Sequence, residues 1–230
     1  MSLRSIIETL REETVAGLGA AHDHFMYSKK LWRIVGADVR RRGRRIILNN
    51  NVTGSRVTER ELVPIAEASV NEYLPSATIQ QFASLTEIFL IDFVRHWLSA
   101  YPMHLKGQVD AQTIVAAPDK IAILRILIEQ YVLSMSYKRP TEWFKQLNGI
   151  IGLGCPSVSE IDAFSEFKAT RDVFVHNRGT ATEIYLEKSG ALARAAVGSP
   201  LDLPDSYLHQ SWRLCRKIVE DIGTAASARA

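Results

Sequence analysis

SVSEIDAFSEFKATRDVFVHNRG, residues 157–179, reads as one helix with a cap at each end. Pro156 cannot continue a preceding helix, Ser157 or Ser159 can take the N-cap, and Glu160 and Asp162 sit in the first turn, where the macrodipole favours acids. Gly179 suits the left-handed residue beyond a helix end. At about 100° per residue, Phe164, Phe167, Phe174 and Val175 fall on one side, the side expected to meet a core. Arg171 projects from the middle of that stripe. A guanidinium cannot shed its proton, so on such a face it needs a carboxylate, a phosphate or a route to water. Asp172 and His176 stand one turn apart, close enough for the carboxylate to orient the imidazole and raise its basicity. Arg171, Asp172 and His176 together span an arc of roughly 140° on an ideal helix. One helix end thus gathers a permanent cation, a group that titrates near neutral pH and a carboxylate to aim it.

The run Arg171-Asp172-Val173-Phe174-Val175-His176-Asn177 resembles the R-x(4-6)-H motif of the HEPN family, helical domains that are often metal-independent ribonucleases. The family often has a polar residue directly after the arginine, and Asp172 fits that. The resemblance covers residues from about 76 to 225 and leaves the N-terminal third outside it. It implies an all-α helical bundle and a homodimer in which the motif helices of two protomers meet to form one RNA-cleaving cleft. It also admits a non-catalytic module that scaffolds a partner, such as a nucleotidyltransferase antitoxin or an antiviral-defence protein.

Cleaving RNA without a metal needs a base for the 2′-hydroxyl proton, an acid for the leaving 5′-oxygen, and positive charge for the phosphorane-like transition state. His176 supplies proton transfer, Arg171 the charge, and Asp172 the orientation of His176. A single Arg/His pair lacks one proton-transfer group, and a two-fold mate supplies it. Asn177 and Arg178 continue past the histidine, within reach of the scissile or a neighbouring phosphate. The competing reading makes Arg171 half of a buried ion pair and His176 an ordinary cation at a helix C-terminus.

The remaining composition sets bounds on these readings. The chain of 230 residues is 47% hydrophobic, enough for a substantial core, and its net charge of +3 permits an anionic partner without requiring one. No apolar run reaches membrane-span length, and Glu8, Glu12 and Glu13 interrupt any signal-peptide pattern, so a cytoplasmic protein is expected. Cys155 and Cys215 stand far apart without metal-ligand spacing, and neither a metal nor a cofactor is expected. His22 and His24 flank Asp23, but the three do not share a helical face and read as solvated or locally hydrogen-bonded.

Residues 1–57 read as an N-terminal helical extension, 58–225 as the bundle and 226–230 as a disordered tail. The extension is helical from about 3 to 39, weakened by Gly17 and Gly19, and ends in Arg40-Arg41-Arg42-Gly43-Arg44-Arg45. Arginines there complement the helix dipole, or Arg41, Arg42, Arg44 and Arg45 track phosphates, in an RNA-cleaving protein or in a regulator that leaves the nucleic acid intact. Residues 46–53 suit a strand or a loop. Thr58 and Glu61 form a capping box for a helix that Pro75 should close. The next helix, to about residue 101, is apolar almost all round from 85 to 98, yet it holds Glu87 and Asp92. Asp92 has Arg95 and His96 in its own turn; alternatively Asp92 or Glu87 reaches Arg171. Asp119 caps a further apolar helix, and an amphipathic helix closes the chain.

Overall fold

The computed structural model describes residues 2–42, 48–49, 53–105 and 110–230, and over them the chain is all-α apart from one short ladder. Helix α1 (Leu3–Arg42) is continuous over 40 residues, through Gly17 and Gly19. A Cβ on Gly17 would make ordinary contact with Leu85 Cδ2 at 3.4 Å and one on Gly19 would meet nothing within 4 Å, so neither glycine is required by packing. Ile7, Leu18 and Phe25 are buried in the same core as Phe82, Phe89 and Phe93. The N-terminal helix is therefore an integral layer of the bundle, not an extension of it, because an apolar stripe of that length is stable only when covered.

Beyond α1, β1 (Leu48–Asn49) pairs antiparallel with β2 (Arg56–Val57), Leu48 opposite Val57, so part of the undecided stretch is strand. Of the arginine run, Arg40 is ion-paired with Glu67 and Arg41 is exposed, while Arg44 and Arg45 lie outside the described residues.

Helix α2 (Glu59–Ala68) opens with the expected capping box, the Thr58 N–H donating to Glu61 Oε2 at 2.7 Å. Pro75 does not end it. A π-helical turn, Ser69–Tyr73, carries the chain straight into α3 (Leu74–Ala100), with the Leu74 N–H donating to the Ser69 carbonyl. Proline lacks an N–H and crowds the carbonyl four residues back, and a widened turn immediately upstream accommodates both defects. Phe82, Phe89, Leu90, Phe93, Val94 and Leu98 are buried, so α3 is the central helix, packed against α1 and against α5 (Lys120–Ser136), α7 (Val158–His176) and α9 (Asp205–Ser227). Between them lie α4 (Ala111–Ala116), α6 (Pro140–Ile151) and α8 (Glu183–Ser189). Asp119 caps α5, its Oδ1 accepting from the Ala122 N–H at 2.8 Å. Asp92 is satisfied in its own turn by Arg95 Nη1 at 2.7 Å, and Arg95 also binds Glu129 on α5, so Asp92 does not reach Arg171.

The expected tail, 226–230, is helical in its first two residues and tied down beyond them: α9 runs to Ser227, Ala226 is fully buried, and Arg229 Nη2 donates to the Gly152 carbonyl at 2.8 Å. Small residues over 223–227 fit against α1; a Cβ on Gly223 would come within 2.9 Å of the Arg11 side chain.

Asp23 and His24 are exposed, whereas His22 is half-buried in this α1/α9 contact, and its hydrogen-bond partner is distant in the chain instead of local. Its Nε2 lies 3.1 Å from His209 Nδ1, and its ring stacks on Trp212 at 4.5 Å between centroids. Burial, then the proximity of His209, lowers the His22 pKa, against the opposing charge of Asp23. An unfolded histidine binds its proton below about pH 6.5, so the folded state withholds a proton there. Stability should be full above that value and fall as pH drops below it towards the folded pKa. Thermal unfolding between about pH 8 and 5 should show a declining Tm, shallower in His209→Gln; equal slopes in the two proteins would remove the histidine pair from the account. Cys215 is fully buried and its thiol is pushed up to about 12 by that burial, so it is chemically quiet.

Candidate functional site

Helix α7 begins where the acids and serines place it. Ser157 is the N-cap, its N–H donates to Glu160 Oε2 at 2.8 Å and its Oγ accepts from the Glu160 N–H, which settles the choice between Ser157 and Ser159. Phe164 and Phe167 enter the main core. Beyond them the buried face rotates: Ala169 and Val173 join Ala181, Tyr185 and Leu201 in a second small cluster, Phe174 is half-buried and Val175 is exposed. The single apolar stripe of the sequence reading is thus divided, because α8 and the chain after it cover a different side of α7 from the side α6 and α9 cover. Arg171 consequently lies beside the core, not in it.

A cleft of about 760 Å³ opens between α7, the 136–141 turn joining α5 to α6, and α8 with its following 3₁₀ turn (Gly190–Leu192). Arg171, Asp172 and His176 all line it, as expected from their arc on the helix. Their connections differ from those expected. Asp172 accepts from Arg171 Nη1 at 3.1 Å and from Lys188 Nζ at 2.9 Å, so its oxygens hold two cations and do not aim His176. Burial alone would raise the Asp172 pKa, but Lys188 and then Arg171 hold it below the ordinary value. Arg171 Nε is buried and without a hydrogen-bond partner. His176 closes α7 with its imidazole exposed.

Lys168, one turn before Arg171, lines the same cleft. Its Nζ lies 3.0 Å from Glu87 Oε1 and 3.6 Å from the centre of the Trp143 ring. Glu87 therefore pairs with Lys168 and not with Arg171. Burial lowers the Lys168 pKa, with Glu87 opposing. Across the mouth, Arg139 Nη2 donates to Glu187 Oε1 at 2.5 Å, between two exposed side chains.

Asn177 caps the helix and Arg178 follows with φ +50°; both are exposed and neither lines the cleft. Gly179, at φ +79°, packs beneath Phe174, whose ring a Cβ would approach to 3.2 Å, so the turn requires a glycine there. Arg40 and Arg41 do not line the cleft either, and the Arg42 side chain, Arg44 and Arg45 lie outside the described residues.

The sequence reading missed Lys168, although its spacing of three from Arg171 placed it on the same face. It also missed Arg139 and Lys188, which come from other elements and carry no local signal. A further group lies behind the cleft wall. Buried Glu166 accepts from Tyr207 Oη at 2.8 Å, Thr170 Oγ1 at 2.7 Å, Arg194 Nε at 3.0 Å and Tyr185 Oη at 3.3 Å. The Arg194 guanidinium also lies over the Tyr207 ring at 3.6 Å and donates to the Asp202 carbonyl. These bonds strap the connection between α8 and α9 onto α7.

Among the described residues no His, Cys, Asp and Glu side chains gather as a metal-ligand group, and no helix is long and apolar enough to cross a membrane. Comparison with family models, with curated proteins and with solved structures gives no match, so the cleft's own geometry carries the functional argument.

Proposed function

We propose that the chain is a cytoplasmic, metal-independent endoribonuclease of the HEPN type, with Arg171 and His176 of two protomers forming a composite site. The observation that carries this reading is that Arg171 and His176 open onto one cleft whose floor and walls add Lys168 and Lys188. Against the alternative of a scaffold with Arg171 buried in an ion pair, Arg171 pairs with Asp172 at the cleft wall with both side chains about a quarter exposed, and Asp92 is engaged by Arg95.

In the proposed reaction the His176 imidazole removes the 2′-hydroxyl proton, and the freed oxygen attacks phosphorus. The P–O5′ bond breaks as a 2′,3′-cyclic phosphate forms, and the partner protomer's histidine returns a proton to the 5′-oxygen. Arg171 faces the phosphorane charge. Asp172 then acts as a positioning group for Arg171, which it holds together with Lys188.

Cleavage of single-stranded RNA should persist in excess EDTA, leave a 2′,3′-cyclic phosphate, and fail where 2′-deoxyribose stands at the cleaved position. The active species should be a dimer by light scattering. Cleavage silenced by EDTA, or proceeding through a 2′-deoxy position, would replace this reading with a metal-dependent one.

A further inference from the structure

We infer that the cleft's rim carries a base-stacking subsite for single-stranded RNA, built on Tyr137 with Lys138 and Arg139 beside it. This rests on the ribonuclease reading above and extends it from the reacting phosphate to the strand that brings it in.

Tyr137 lines the cleft yet is 85% exposed, so its ring contributes almost nothing to the core. Its backbone is nonetheless well held. Tyr137 is the C-cap of α5, the Lys138 N–H donates to the Met135 carbonyl at 2.9 Å, and Met135 and Pro140 on either side are buried. Pro140 starts α6, so the turn is short and fixed at both ends. With the backbone held, only the two side-chain torsions of Tyr137 are ordered when a planar group settles on its ring.

The neighbouring charges identify that group. Lys138 and Arg139 follow directly and also line the cleft, facing the wall that carries Arg171, His176 and Lys188. Two carboxylates lining the cleft here are already engaged, Glu187 by Arg139 and Asp172 by Arg171 and Lys188, and Glu142 adds its charge near Arg139. The pair of Arg139 with Glu187 is exposed on both sides, 53% and 62%, and exposed pairs contribute little, so a phosphate can take the place of the carboxylate. An aromatic face beside phosphate-binding cations is the arrangement that holds an unpaired base and its backbone. In a duplex the base faces are covered by stacking, and a cleft of about 760 Å³ receives a strand and not a double helix. The arginine run from Arg40 to Arg45 has no interleaved aromatic; the turn after α5 supplies one.

The test is binding to a fluorescently labelled single-stranded RNA decamer in a His176→Ala background, compared with the same backbone carrying abasic sites. Tyr137→Ala should weaken binding of the base-bearing strand roughly 5- to 150-fold, the range of one base–aromatic stack, and leave binding of the abasic strand unchanged. Tyr137→Trp should restore the affinity. Unchanged binding of the base-bearing strand in Tyr137→Ala, or an equal loss on the abasic strand, would overturn the subsite while leaving the ribonuclease reading intact. Absence of cleavage by the otherwise native protein, with the Tyr137 effect present, would sink the ribonuclease reading alone. Failure of the native protein to bind the decamer would sink both.

Discussion

His176→Ala should lower the rate of RNA cleavage about 10²–10⁴-fold, the usual worth of a positioned proton-transfer group, with the fold unchanged. The side chain is exposed at the end of α7, so its removal leaves no cavity and strands no partner. Arg171→Ala should cost a comparable factor, about 10²–10³, as the loss of one group aimed at transition-state charge. Its effect on stability should be small. Asp92 and Glu87 are held by Arg95 and Lys168, and Asp172 keeps Lys188 when Arg171 is removed, so no buried carboxylate is orphaned. Single-turnover rates at saturating RNA, with thermal unfolding run in parallel, check both expectations. Wild-type rates in His176→Ala, once contaminating ribonuclease has been excluded, would show that the Arg/His pair had been misread.

What the sequence disclosed here was what is encoded locally. The caps at Thr58, Asp119 and Ser157 were legible because each depends on residues within one turn of itself. The central position of α3 was legible because a helix apolar all round must be covered all round. Where tertiary packing decided, local signals misled. Gly17 and Gly19 weaken an isolated helix but are tolerated in α1, whose apolar face is buried in the main core. Pro75 signals a stop, but a π turn upstream absorbs it. The last turn of α9 looks like a frayed tail because it ends the chain in small residues, but Ala226 is buried in the main core.

The candidate site divides along the same line. Arg171, Asp172 and His176 share a helix face, and a shared face is readable from spacing. Whether Asp172 turns to His176 or to Lys188 depends on where α8 lies, which no spacing within α7 reveals. The same holds for Arg139 and Tyr137, which reach the cleft from the turn between α5 and α6.

Glu166→Ala should be strongly destabilising. The carboxylate is about 7% exposed and satisfies donors from Thr170, Tyr185, Arg194 and Tyr207. Its loss leaves the guanidinium of Arg194 unpaired over the Tyr207 ring. Breaking one side of a buried ion pair costs about 3–5 kcal/mol, and the lower end applies because Arg194 is 26% exposed and keeps a route to water. At about 2–4 °C per kcal/mol for a chain of this size, Tm should fall by roughly 6–12 °C. Arg194→Ala strands the more deeply buried member and should cost at least as much. The double substitution removes both charges together, so its cost should be less than the sum, by the coupling of roughly 0.5–3 kcal/mol expected of contacting groups. Strict additivity would mean that the pair is incidental to the strap. Because Arg194 ties the segment that follows Gly190–Leu192, loosening it also frees one wall of the cleft. Glu166→Ala should therefore weaken RNA binding at temperatures where the bundle is still folded, whereas an exposed-pair change such as Arg216→Ala should not.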